Sequence, residues 1–75
     1  MEERVLEILR QVFGLEEVGR DISQKNCDAW DSMGHLNLVV ELETAFDVSM
    51  EPEEIAAMKS FDDIVSLLKK KMVSR

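Results

Sequence analysis

The sequence predicts an all-α fold, a small four-helix bundle of three longer helices and one short helix, with a long loop between the first two. Apolar residues recur three and four apart in three stretches, as helices with one buried face require. No window alternates apolar and polar residues for long enough to make a strand. Helix-stopping and helix-starting residues punctuate the chain at Gly14, Pro52 and Ser60. A chain of 75 residues is sized for one domain, so residues 1–75 are expected to form a single unit, and 45% apolar residues are enough for a packed core.

Val5, Leu6, Ile8, Leu9, Val12 and Phe13 keep helical spacing until Gly14, a natural C-cap, and define the first helix. From Gly14 to Trp30 the pattern breaks into a loop with isolated apolar pins at Leu15, Val18 and Ile22. Loops of this length in small domains are either locally packed or functional. Asp31 or Ser32 provides the N-cap of a second helix that runs to about Asp47. Pro52, suited to a first helical position, opens a short helix through Ala57 with Glu53 and Glu54 in its first turn. Ser60 and Asp63 resemble a capping box, after which Phe61, Ile64, Val65, Leu68 and Met72 form the stripe of the last helix.

Sixteen acidic against nine basic residues, a formal charge of −7, argue against nucleic-acid binding, which depends on Lys and Arg. The clustered bases Lys69, Lys70, Lys71 and Arg75 are placed where a C-terminal helix end favours cations. The single cysteine, Cys27, excludes an internal disulfide and a cysteine zinc site, and fits a reducing, cytoplasmic compartment. No apolar run approaches the roughly 20 residues of a membrane span, so stable membrane insertion is not expected. No acidic triad has the spacing of a calcium loop, and no metal site is expected. The acidity is regional: Asp28 to Asp63 holds ten acids and one base, and the rest of the chain six acids and eight bases. Carboxylates crowded in this way are expected to titrate high in the folded state, so lower pH or salt should stabilise the protein.

The second helix has apolar residues on two sides. At 100° per residue His35, Leu38, Val39, Leu42, Ala45 and Phe46 fall together and supply a core face. Met33, Leu36 and Val40 fall opposite, among Glu41, Glu43 and Asp47, where a surface helix should be polar. Either the helix is buried on both sides, or these residues form an apolar spot in an acidic rim that docks basic partners. Ser32 at the helix start is a plain N-cap, an anion-tolerant attachment point, or, with His35 three residues on, a candidate nucleophile. The last is disfavoured by the absence of a nucleophile-elbow motif and by the small volume available to exclude water.

The run Trp30-Asp31-Ser32-Met33-Gly34-His35-Leu36-Asn37-Leu38-Val39-Val40-Glu41-Leu42-Glu43 resembles the serine motif and second helix of the acyl carrier proteins. The likeness extends over residues 2–72, through the Phe46-Asp47-Val48 exit, the short helix after Pro52 and the last helix. It implies a free-standing, monomeric and non-catalytic carrier. Ser32, flanked by Asp31, would receive 4′-phosphopantetheine from coenzyme A by a phosphopantetheinyl transferase. The arm's thiol would hold acyl groups as thioesters for partner enzymes with basic docking patches, in fatty-acid, lipid or secondary-metabolite biosynthesis. Met33 after the serine is similar to D-alanyl carrier proteins, which would make the load an amino acid. Gly34 and Asn37 stand where fatty-acid carriers often have acids, and Asp28-Ala29-Trp30 replaces the usual lead-in, which points to a specialised carrier.

Overall fold

The computed structural model describes residues 1–73 and contains four helices: α1 (Glu2–Phe13), α2 (Ser32–Phe46), α3 (Pro52–Ala57) and α4 (Phe61–Val73). Each boundary has a local cause. Gly14 ends α1 in the left-handed region (φ 64°), where a side chain would be strained, and Leu15 donates its N–H to the Arg10 carbonyl to close the last turn. Asp47 ends α2 in the same region (φ 53°), which a short polar side chain tolerates. At α3 Glu51 and Glu54 form a capping box, and Pro52 occupies the first turn, where its missing N–H is harmless. The Ser60 hydroxyl accepts from Asp63 N–H at the start of α4. The Asp63 carboxylate reaches one residue further back than a capping box requires, accepting from Lys59 N–H.

The core forms from Val5, Ile8, Leu9 and Phe13 of α1, Leu38, Val39 and Leu42 of α2, and Phe61, Ile64, Val65 and Leu68 of α4. Met50 and Met58 close it around α3. No polar or charged residue is buried among the described residues. On the expected core face of α2, Phe46 is half-buried and packs against the core, and Ala45 alone lies elsewhere. Ala45 is exposed, because the fully buried arc of the helix runs through Leu38, Val39 and Leu42 and leaves it at the edge.

The loop between α1 and α2 is packed. Ile22, Cys27 and Trp30 are buried, and Leu15 and Val18 are half-buried against the core. Its backbone is tied to the start of α4: Gln24 N–H donates to the Lys59 carbonyl (2.9 Å) and Phe61 N–H to the Ile22 carbonyl (3.0 Å), around one antiparallel bridge between Ser23 and Ser60. Asn26 fastens the turn by donating to the Asp21 carbonyl and accepting from Ser23 N–H. A Glu2–Arg20 ion pair links loop to α1 at the surface, where such pairs contribute little.

Lys71 pairs with Glu54 at 2.7 Å, joining α4 to α3, so one of the clustered lysines has a specific structural partner. Arg75 lies outside the described residues. Crowding does not make Glu54 titrate high: the Glu51 N–H, followed by Lys71, holds its carboxyl below the ordinary 4.5. Glu7 is likewise lowered, chiefly by Arg10.

Candidate functional site

Of the two candidate caps for α2, Asp31 takes the role. Its Oδ1 accepts from Gly34 N–H at 2.8 Å, and its backbone is extended. Ser32 is therefore the first residue inside the helix, exposed, with its hydroxyl unused by the cap. The first N–H groups of any helix lack intrahelical acceptors and, with the aligned peptide dipoles, favour an anion at this end. With Asp31 satisfying the N–H of Gly34, those of Ser32 and Met33 remain at the helix mouth. No acidic side chain stands within the first turn of α2 itself.

The surroundings are built by close packing. A Cβ added to Gly34 would fall 2.2 Å from the Ala29 carbonyl oxygen and 3.0 Å from a ring carbon of Phe13. Glycine is what lets the helix start press against the loop and α1. Trp30, two residues before Ser32, is buried and packs on Phe13 with ring centroids 5.4 Å apart. Its indole N–H donates to His35 Nδ1 at 2.9 Å, while His35 Nε2 meets the Ile55 carbonyl at 2.7 Å. Both ring nitrogens are engaged away from Ser32, so the Ser32–His35 nucleophile pair does not form. A cleft of about 400 Å³ opens beside the serine, lined by Gln24, Trp30, Asp31, Ser32, His35 and Ala56.

An exposed hydroxyl, a helix mouth suited to a phosphodiester and an adjoining open cleft fit the attachment of 4′-phosphopantetheine at Ser32. Among the described residues no group of His, Cys, Asp and Glu could hold a metal ion.

Of the expected docking residues, Met33 is 71% exposed, Leu36 57% and Val40 58%, and they form one apolar strip running up α2 from Ser32. Glu41 and Asp47 are exposed beside it. Glu43 is different: it is half-buried, and its Oε2 accepts from Met50 N–H at 2.8 Å, so its carboxylate fixes the α2–α3 connection instead of standing free in a rim. Its helical position resembles that of a rim residue, and only the return of the chain at Met50 reveals the difference. Gly34 and the Trp30–His35 pair were not expected as parts of the site. The former carries no chemistry of its own, and the latter depends on a cap geometry that periodicity does not describe.

No protein-family model matches the chain. It is similar to the D-alanyl carrier protein of Lactococcus lactis subsp. lactis (strain IL1403), with 37% identity over 57 residues, 73% of this chain and 72% of the relative. The D-alanyl carrier protein of L. lactis subsp. cremoris (strain MG1363) is 35% identical over the same shares. In three dimensions the chain is similar to the holo acyl carrier protein of Geobacter metallireducens solved by NMR, at TM-score 0.86 and 32% identity, covering 97% of this chain and 86% of that one. The crystal structure of an acyl carrier protein from Thermotoga maritima follows at TM-score 0.77 and 27% identity, covering 96% and 86%.

Proposed function

Because the chain belongs to the carrier-protein family, with D-alanyl and acyl carrier proteins among its relatives, we propose that Ser32 is the residue through which it carries its load. The observation that carries this reading is the division of labour at the start of α2, where Asp31 caps the helix and leaves the exposed Ser32 hydroxyl to be modified. The family implies a 4′-phosphopantetheine group, which when attached supplies a thiol that holds acyl groups as thioesters. The protein's own part is to present the serine on a rigid helix start, to receive the phosphodiester charge against unpaired N–H groups, and to guide partners to it. Residues 1–75 act as one monomeric, non-catalytic carrier domain in the cytoplasm.

The strip Met33, Leu36 and Val40, flanked by Glu41 and Asp47, is the docking face. A phosphopantetheinyl transferase and the loading and transferring enzymes would meet it with an apolar pocket ringed by Lys or Arg. Charge complementarity there acts mainly on association rate, and the apolar contacts on dissociation.

Incubation with a phosphopantetheinyl transferase and coenzyme A, read by mass spectrometry, tests the assignment. One phosphopantetheine is expected on the wild type and none on Ser32→Ala, whose fold should be unchanged. Modification persisting in that variant would sink the assignment. A second reading, an aminoacyl load, is favoured by Met33-Gly34 after the serine and by the D-alanyl carrier relatives. Offering the modified chain activated D-alanine and activated fatty acid with their respective ligases distinguishes the two cargoes by mass.

A further inference from the structure

The chain has one tryptophan and one histidine, and the two are hydrogen-bonded to each other beside Ser32. An indole N–H can only donate, so His35 Nδ1 must be the acceptor and carry no proton. A carbonyl can only accept, so His35 Nε2 must carry the ring's proton. The geometry admits one form of His35, the neutral Nε2–H tautomer. That form joins three elements at a point: the end of the loop through Trp30, α2 through His35, and α3 through the Ile55 carbonyl. A second proton would go to Nδ1 and turn it toward another donor, the Trp30 N–H. The Ile55 bond would survive, and the Trp30 bond could not.

We infer that Trp30, His35 and the Ile55 carbonyl form a proton-sensitive latch, and that His35 is a positioning residue for modification at Ser32. When His35 is neutral, the latch holds the loop end and α3 against the start of α2. When it is protonated, Trp30 is released and the cleft beside Ser32 loses its fixed wall. The inference rests on Ser32 being the attachment site only for its link to modification; the latch itself does not depend on that reading. Around the imidazole, α2 contributes Asp31, whose Oδ1 is committed to Gly34 N–H. The loop contributes Gln24 and Trp30, with exposed Lys25 next in sequence. The side contributed by α3 is Ala56 and the Ile55 carbonyl, Glu54 being turned to Lys71. From α1 comes the uncharged ring of Phe13, packed on Trp30. None of these puts a salt-bridge partner on the ring, so protonation acts through the Trp30 bond.

The unmodified full chain provides the test, because a single indole N–H cross-peak reports on the latch. Lowering the pH until the His35 ring resonances report protonation should move that peak along the same one-proton curve. His35→Gln keeps one acceptor and one donor on a side chain that does not titrate, and should leave the peak still. An indole peak that stays put while His35 titrates, or a His35 that does not titrate before the chain unfolds, overturns the latch. Transferase rates are then compared at each pH as the ratio of wild type to His35→Gln, which cancels the transferase's own pH dependence. The ratio should fall by up to about fivefold toward low pH, the scale of one net hydrogen bond. A flat or rising ratio with a titrating indole overturns the positioning role. Absence of modification in both proteins at every pH overturns the Ser32 reading and with it that role, while the indole titration still judges the latch.

Discussion

Helices α1 and α2 are of similar length, but they use their apolar residues differently. In α1 every large apolar residue is buried or half-buried, and its outward side is charged and partly paired through Glu7 and Arg10. In α2 Leu38, Val39 and Leu42 face the core as α1's stripe does, but Met33, Leu36 and Val40 face water. Folding therefore accounts for the whole of α1 and only half of α2. Exposed side chains of that size do nothing for the isolated fold, and their alignment from Ser32 upward is what the proposed docking face rests on.

The contrast is broken most directly by truncating one residue on each side of α2. Leu42→Ala, at a site with no exposure, should lose about 2–5 kcal/mol in denaturant melts, whereas Leu36→Ala should stay within about 0.5 kcal/mol yet slow the transferase. Equal destabilisation by both would mean that α2 is covered on both sides in solution. Gly34→Ala comes next, because its new Cβ meets the Ala29 backbone and the α1–α2 contact must open. A loss of about 1–3 kcal/mol is expected, and an unchanged melt would show that the close approach is relaxed in solution. Asp31→Ala removes the one side-chain cap of α2 and should lose about 1 kcal/mol while Ser32 remains modifiable at a reduced rate. If melts of Asp31→Ala match the wild type, the cap has moved to Ser32.

The smallest effect concerns acid. Glu54, lowered below 4.5 by the Glu51 N–H and Lys71, contributes stability that is present above that value and lost as pH falls through its folded-state pKa. Glu54→Gln should thus melt below the wild type near neutrality and converge with it in acid. A gap that persists in strong acid would show that packing, and not charge, holds α3 to α4.

All four helices were legible in the sequence, since periodic apolar spacing and Gly14, Pro52 and Ser60 report local physics. Ser32 was legible as a helix-start serine. That Asp31 and not Ser32 caps α2 was not, because both residue types cap equally well and only the backbone angles decide. The burial of Cys27 was hidden by its polar neighbours. Glu43 and Ala45 were misplaced by a rule that reads one helix at a time: the angle around α2 is right for each, but the connection at Met50 claims Glu43 and no element covers Ala45.

The backbone strap between Ile22–Gln24 and Lys59–Phe61 gives the molecule a timetable. Contacts within helices and between neighbours close early, whereas the strap must bring together segments separated by all of α2 and α3, and such closures come late. The loop that leads to Trp30 gains its tie to the start of α4 only with that closure. On a ribosome, where the N-terminal part of a chain appears first, Ser32 emerges well before Phe61. Ser32, the proposed attachment site, is thus made before the strap that ties down its loop can close, and the last helix fastens that loop without lining the cleft.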